Sequence, residues 1–179
     1  MHILKLCMKQ LTFFILLLVS LLPLQMNAYA QSYWVENNVY KGAVFSKEKK
    51  PYCFVTGIYE SYTPTIADVE VAEHILRDSI DLYLKKERIC TQQINSNNLN
   101  LYIRQYCGIR NKETKDIIID IYLYITDLFT KEALLTNLVE AVDAGEDVWR
   151  VSVNISQSKL YNISINSTEN GELYTDCYE

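Results

Sequence analysis

Apolar residues between positions 66 and 83 recur at spacings of three and four, which is the period of an amphipathic helix. They are Ile66, Val69, Ala72, Leu76, Ile80 and Tyr83. Thr65 and Asp68 have the spacing of an N-terminal capping box, and basic residues near position 86 complement the helix dipole. The pattern predicts one long helix of about 22 residues, roughly 33 Å in length, whose apolar stripe must pack on another element.

After the predicted helix, apolar and polar residues alternate with a period of two, which predicts strands. Residues 99–106 alternate between apolar and polar positions; the same residues also fit a helix, and we favour the strand. Residues 117–125 are dense in β-branched side chains, which predicts a second strand. Its odd-numbered positions form an isoleucine-rich face, and the opposite face carries Ile118, Asp120, Tyr122 and Tyr124.

The remaining segments complete the order of elements. Residues 131–142 have the spacing of a short helix, and residues 151–155 and 161–165 are predicted as two closing strands joined by a turn. Before the long helix, residues 52–59 are predicted as a strand that is broken at Gly57.

This order predicts one α+β domain over residues 51–179, preceded by an N-terminal arm at residues 31–50. We expect one long helix packed on a curved antiparallel sheet of about four to five strands, a cystatin-like or NTF2-like arrangement. The sequence has no internal repeat and no linker rich in Pro, Gly or Ser that would indicate a second domain.

Several motifs between positions 60 and 171 resemble a known group of proteins. They are Tyr102-x-Arg104-Gln105-Tyr106-x-Gly108, the isoleucine-rich strand after it, the turn Asp143-Ala144-Gly145-Glu146 before Trp149, and the closing YNISIN with Asn170-Gly171. The pattern is similar to that of uncharacterised small exported bacterial proteins with a cystatin-like fold. The resemblance implies the fold and no particular activity, because this type of fold hosts inhibitors, ligand carriers and enzymes.

The first thirty residues have the features of a secretory signal peptide. Lys5 and Lys9 precede the apolar run Leu11–Leu24, and Ala28-Tyr29-Ala30 supplies small residues at a cleavage site. The apolar run is shorter than the roughly 20 residues that cross a bilayer, although a retained membrane anchor is an alternative. We therefore predict cleavage after Ala30, a secreted or periplasmic protein, and no stable membrane insertion.

Charge and cysteine content narrow the class of partner. Loss of the signal segment removes two lysines and no acid, which moves the formal net charge from −5 to −7. An acidic chain without a basic stripe is a poor match to nucleic acid. Four cysteines remain, an even number that favours two disulfides in an exported chain, and their wide spacing does not suit a zinc site.

The predicted strand order selects one disulfide connectivity. If the strand from Leu99 runs back along the helix, Cys107 lies about 27 Å from the end near Cys90, too far for a disulfide. We therefore predict the pairs Cys53–Cys107 and Cys90–Cys177. The pairing depends on the insert at residues 126–146 not crossing the sheet.

The sequence carries little catalytic chemistry. His74 is the single histidine of the mature chain, and it is expected to be a solvated ion-pair residue near Glu70 and Asp78. No spacing indicates a nucleophile with a base, a phosphate-binding loop or a metal motif. The carboxylates of Asp116 and Asp120 are an example of a pair that could meet across a cleft as in a glycosidase, but Asp pairs in a hairpin are usually solvated. We predict that the protein is not an enzyme and needs no metal or cofactor.

One face of the predicted sheet has the composition of a recognition surface. The candidate binding residues are Tyr102, Arg104, Tyr106, Asp120, Tyr122, Tyr124 and Arg150. Tyr, Ser and Asn with a few Arg are typical of protein-binding surfaces. In the alternative, residues 31–50 or 126–146 fold over this face and make the tyrosines a second core.

These observations predict a non-catalytic exported module that binds a macromolecular partner, most simply a protein, in the manner of an inhibitor or an immunity protein. The alternative is a carrier that holds a small ligand in a pocket between helix and sheet.

Overall fold

The computed structural model describes residues 32–49, 57–126, 128–139 and 144–166. The strands are β1 (Tyr33–Glu36), β2 (Lys41–Val44), β3 (Tyr59–Tyr62), β4 (Tyr102–Asn111), β5 (Ile117–Ile125), β6 (Gly145–Asn154) and β7 (Lys159–Asn166). The helices are α1 (Ile66–Lys86) and α2 (Lys131–Thr136), with 3-10 turns at Lys47–Lys49 and Leu99–Leu101. The described residues all belong to one compact unit.

All seven strands belong to one mixed sheet with the order β1-β2-β4-β5-β6-β7. β2 runs parallel to β4, with Gly42 opposite Arg104, and β3 runs antiparallel to the later part of β4, with Tyr62 opposite Gly108. The two short strands therefore share one edge of β4. The other neighbours are antiparallel.

The predicted fold class is wrong. An α+β, cystatin-like or NTF2-like fold was expected to carry four to five antiparallel strands, whereas the structure has seven strands in one mixed sheet. Among the described residues only α1 is a long helix, and the strands hold nearly twice as many residues as the helices. The predicted N-terminal arm at residues 31–50 contains β1 and β2. The sequence did not predict these strands, because four residues are too few to show a clear alternation of apolar and polar positions.

The predicted long helix is confirmed together with its cap. Thr65 is the N-cap; its hydroxyl accepts from the Asp68 amide at 3.2 Å, and its own amide donates to the Asp68 carboxylate at 2.8 Å. The interior of the predicted stripe is buried, although Ile66 is 59% exposed. The helix also buries Glu73, which the apolar pattern did not predict.

The main core lies between α1 and one face of the sheet, which we call the inner face. Leu76 and Ile80 of α1 share a buried cluster with the apolar side chains of β5 and β6. The sheet residues in this cluster include Tyr102, Tyr106, Ile119, Ile121, Leu123, Trp149, Val151 and Val153. The isoleucine-rich side of β5 therefore packs toward the helix as predicted.

The opposite, outer face is partly covered by residues 128–139. Leu134 of α2 packs with Ala43, Ile103, Tyr124 and Val148 in a second buried cluster. Gln105 joins the cover to the sheet, since its Nε2 donates to the carbonyls of residues 134 and 137, both at 2.7 Å. Both faces of the sheet therefore carry buried side chains.

Some predictions fall on parts of the chain outside the described residues. These include the signal segment with its cleavage site after Ala30, most of the predicted strand at residues 52–59, and the cysteines Cys53 and Cys177. In the described ranges, no helix has the length and apolar character needed to cross a membrane.

Candidate functional site

The structure divides the seven predicted binding residues between the two faces of the sheet. Tyr102, Arg104 and Tyr106 of β4 point to the inner face, under α1. The remaining four lie on the outer face and are Asp120, Tyr122, Tyr124 and Arg150. The prediction that all seven share one face is wrong. The alternation in β4 is equally consistent with either orientation, and Leu99 and Leu101 belong to a 3-10 turn before the strand begins.

Arg104 forms a buried ion pair with the helix. Its Nε donates to Glu73 Oε1 at 2.9 Å, its Nη2 donates to Glu73 Oε2 at 3.2 Å, and its Nη1 donates to the carbonyl of Tyr102. Tyr106 donates its hydroxyl to Glu73 Oε1 at 2.8 Å. Arg104 and Tyr106 are 0% exposed and Glu73 is 3% exposed, so these groups cannot meet a partner.

The tyrosines of the inner face are held in their neutral forms. Burial raises the pKa of Tyr106 well above its usual value, and the negative charge of Glu73 raises it further. Burial also raises the pKa of Tyr102 to about 12. Tyr102 donates to the carbonyl of Glu146 at 3.1 Å and packs edge-on against Trp149. These residues are structural.

Tyr124 belongs to the second core, which is the alternative that the sequence left open. Its hydroxyl lies 2.8 Å from Gln105 Oε1 and 2.7 Å from the carbonyl oxygen of Val139, and its one proton can be donated to either acceptor. Its ring packs edge-on against Phe129. Tyr124 is fully buried and is therefore removed from the candidate surface.

A smaller set of outer-face residues stays partly exposed, and we call it the outer patch. It consists of Asp120, Tyr122, Arg150, Ser152 and Ser164. Ser152 donates its hydroxyl to Asp120 Oδ1 at 2.5 Å. Burial raises the pKa of Asp120, while the hydrogen bond from Ser152 and the charge of Arg150 oppose that rise.

Tyr122 is the side chain that anchors the outer patch. It packs, partly buried, against the second core with Leu134 and also against a third cluster formed by Phe45, Cys107, Ile109 and Ile118. Contact with two clusters orders the ring before any partner arrives. The cost of ordering the side chain on binding is thereby reduced.

A groove of about 250 Å³ opens beside the third cluster, and we call it the turn groove. It is lined by Tyr59, Asn111, Asp116, Ile118, Asn154, Gln157, Lys159 and Tyr161. It lies where the β4–β5 turn meets the β6–β7 turn. Sequence reasoning missed it because Tyr59 and Tyr161 come from strands that are not neighbours in the sheet and carry no shared motif.

Side-chain hydrogen bonds fix the shape of the turn groove. Gln157 Nε2 donates to Asp116 Oδ2 at 2.7 Å, and the Gln157 amide donates to Asn154 Oδ1 at 3.0 Å. Asn111 Oδ1 accepts from the amides of residues 113 and 114. Burial raises the pKa of Tyr161, and the nearby negative charge of Asp120 adds to that rise.

The described residues offer little of the machinery of catalysis. His74 Nε2 lies 3.3 Å from Asp78 Oδ2 on the exposed side of α1, and its side chain is 77% exposed, so the predicted solvated ion pair is confirmed. No three His, Cys, Asp or Glu side chains within the described part are grouped to hold a metal ion.

The disulfide prediction stays a prediction. Each pair, Cys53–Cys107 and Cys90–Cys177, needs one cysteine outside the described residues. The two described cysteines, Cys90 and Cys107, are not joined to each other.

Comparisons of the chain with protein-family models, with curated proteins and with solved structures find no match. The function must therefore be argued from the geometry of the outer patch and the turn groove.

Proposed function

We propose that the protein is a non-catalytic exported module that binds a protein partner through the outer patch. The observation that carries the proposal is Tyr122, which is partly exposed and yet held between two buried clusters. Tyrosine and arginine are enriched at the centres of protein interfaces, where rigid rings contribute large contact area at low entropic cost. Arg150 lies opposite Tyr122 on β6 and supplies the second such side chain.

The charges of the outer patch support a specific partner over non-specific adsorption. Asp120 and Arg150 carry opposite charges near each other, and Ser152 adds a hydroxyl bound to the carboxylate. Such a patch has no excess charge to attract any oppositely charged surface. A partner must instead be complementary to the carboxylate of Asp120, the guanidinium group of Arg150 and the ring of Tyr122.

A small-ligand carrier has less support. That alternative needs space between the helix and the sheet, and large buried side chains fill this layer. Trp149, Tyr102, Tyr106 and Arg104 are among the largest fully buried side chains of the protein. The inner face is therefore a packed core with a satisfied ion pair.

The proposal is tested by partner capture with the double variant Tyr122→Ala/Arg150→Ala. Removing two central anchors is expected to weaken binding at least a hundredfold, since single anchors of this type contribute about 2 kcal/mol or more. The immobilised protein and the variant are compared in pull-downs from the extracellular or periplasmic fraction of the source organism. Capture that is equal for both proteins would contradict the proposal.

The matched control is Tyr83→Ala, which removes a half-buried tyrosine from α1 on the other side of the sheet. It is expected to retain the partner. Urea unfolding of all three proteins separates a lost contact from a lost fold. Tyr106 is unsuitable for this test, because its hydroxyl is bonded to Glu73 inside the core.

A further inference from the structure

The turn groove has two aromatic walls that are already ordered. Tyr59 and Tyr161 are both partly buried and pack against the third cluster with Phe45 and Ile109. Neither tyrosine hydroxyl makes a hydrogen bond within the described part of the chain. The groove thus presents two fixed rings together with two phenolic hydroxyls that are open to a ligand.

Amide and carboxylate groups of the groove retain hydrogen-bonding capacity. The hydrogen bonds that shape the groove use one oxygen each of Asn111, Asn154 and Asp116. Among the described residues, the amide nitrogens of both asparagines and the second oxygen of Asp116 have no partner. A ligand therefore meets donors and an acceptor side by side.

Charge around the groove is balanced. The carboxylate of Asp116 is offset by the ammonium group of Lys159 in the lining of the groove. Two tyrosines beside a carboxylate would suit a cationic ligand, but the nearby ammonium group opposes one. The balance therefore favours a ligand without net charge.

We propose that the turn groove binds a neutral saccharide unit. A pyranose ring has hydroxyls that both donate and accept, which matches the asparagine amides and the Asp116 carboxylate, and it has an apolar C–H face that packs on a tyrosine ring. The volume of about 250 Å³ lies below the roughly 300–1,000 Å³ of drug-sized ligand sites. A groove of this size suits a short saccharide unit, and a long polymer would extend beyond it.

This inference is independent of the proposed protein partner, because the groove and the outer patch share no residue. The test is a glycan array of neutral and acidic oligosaccharides, followed by calorimetry with the neutral oligosaccharide that gives the strongest signal. The full chain is expected to bind neutral saccharides. Absence of any neutral saccharide signal above that of Tyr161→Ala would overturn the proposal, and so would a preference for acidic glycans.

Variants assign the binding to the groove. Tyr161→Ala is expected to lose at least tenfold in affinity, whereas Tyr161→Phe keeps the ring and should lose about threefold or less. Asp116→Asn is expected to bind more weakly without loss of fold, since an amide oxygen still accepts from Gln157. If all three variants bind like the unmodified chain, the saccharide lies elsewhere and the proposal fails.

The outer-patch variant Arg150→Ala separates the two proposals, since Arg150 does not line the groove. It is expected to bind the saccharide like the unmodified chain while its affinity for the protein partner falls. Loss of saccharide binding in this variant, at an unchanged midpoint of urea unfolding, would place the sugar on the outer patch and overturn the assignment to the groove.

Discussion

The Glu73–Arg104 ion pair fixes which face of β4 turns toward α1. Both faces of this strand are apolar enough to be buried, since Ile103 and Ile109 lie on one and Tyr102 and Tyr106 on the other. A slip of one residue would place the guanidinium on the outer face and leave Glu73 buried without a cation. Such a charge is strongly unfavourable, so the pair selects the observed orientation.

Removing one partner of this pair should cost more than removing both charges. Arg104→Met leaves a buried carboxylate and is expected to lower the free energy of unfolding by about 3–5 kcal/mol. The double variant Glu73→Gln/Arg104→Met keeps an oxygen for the Tyr106 hydroxyl and should recover much of that loss. Urea unfolding checks both values, and a double variant less stable than Arg104→Met would refute the argument.

His74→Ala, at the exposed pair with Asp78, should change stability by less than about 0.5 kcal/mol.

Asp120 makes the stability depend on pH in a defined direction. Burial raises its pKa above the ordinary 3.8, so the folded state holds the proton more tightly than the unfolded state does. The free energy of unfolding therefore falls as the pH rises from below 3.8 through the folded-state pKa. Asp120→Asn keeps an oxygen acceptor for Ser152, and it removes the decrease in the free energy of unfolding that accompanies ionisation of Asp120. It should be more stable than the unmodified chain near pH 7 and nearly equal near pH 3; a pH-independent difference in urea unfolding would contradict the assignment.

At the level of elements, the buried side chain of Gln105 makes several of the hydrogen bonds that join the cover formed by residues 128–139 to the sheet. Gln105 donates to two carbonyls of the cover, and its Oε1 accepts from the Val139 amide at 2.9 Å and from Tyr124. Lys49 adds a bond to the Leu135 carbonyl at 2.8 Å. The rest of the contact is the small second core, so hydrogen bonds hold the cover together with a few apolar side chains.

Gln105→Leu should therefore loosen the cover selectively. It leaves one buried and two partly buried backbone groups without their partner, and the buried carbonyl of Leu134 alone should cost about 1–3 kcal/mol. Hydrogen exchange at residues 128–139 is expected to accelerate strongly while the amides of α1 keep their protection. Tyr124→Phe, which removes only one hydroxyl, is the milder control. Uniform acceleration across the chain would show instead that the cover and the main core open together.

The pairing of β3 with β4 requires a residue without a side chain at position 108. A Cβ at Gly108 would lie 2.6 Å from the Tyr62 carbonyl oxygen and 2.9 Å from Pro64 Cγ. Gly108→Ala must displace β3 and should cost about 1–3 kcal/mol in urea unfolding. Gly57→Ala is the matched control, since nothing lies within 4 Å of its added Cβ, and it should change stability by less than about 0.5 kcal/mol. Equal effects of the two substitutions would contradict the close approach.

Elements with local signals were predictable from the sequence, and those with non-local partners were not. The cap at Thr65, the buried stripe of α1 and the inward side of β5 follow from spacings within one segment. The orientation of β4 depends on Glu73, a charged residue within an apolar stripe, and period two alone cannot supply it. Of the predicted helix at residues 131–142, the structure forms Lys131–Thr136, and the helix ends where the Asn137 carbonyl accepts from Gln105; residues 140–142 lie outside the described residues.

For the whole molecule, α1 packs on the inner face of the sheet and residues 128–139 pack on part of the outer face, so only the rest of the outer face stays accessible to a partner. The sequence offered recognition and a second core as alternatives; the structure buries part of the outer face in a second core and leaves another part exposed, and recognition stays a prediction. Tyr124 is buried under the cover, whereas Tyr122, Asp120 and Arg150 remain partly exposed beside it. The turn groove could not be predicted, because its walls come from residues about 100 positions apart that only the completed sheet brings together.

The parallel pairing of β2 with β4 has a consequence for the order in which the chain folds. The partners Gly42 and Arg104 are about 60 residues apart in sequence, so β2 cannot dock until the middle of the chain has formed its hairpin. Closing so long a loop is slow, and sheets dominated by such pairings fold in about milliseconds to seconds. Until then Ala43, Val44 and Phe45, which are buried in the finished protein, stay open to solvent. We therefore expect β2, although it comes early in the sequence, to complete the fold instead of nucleating it.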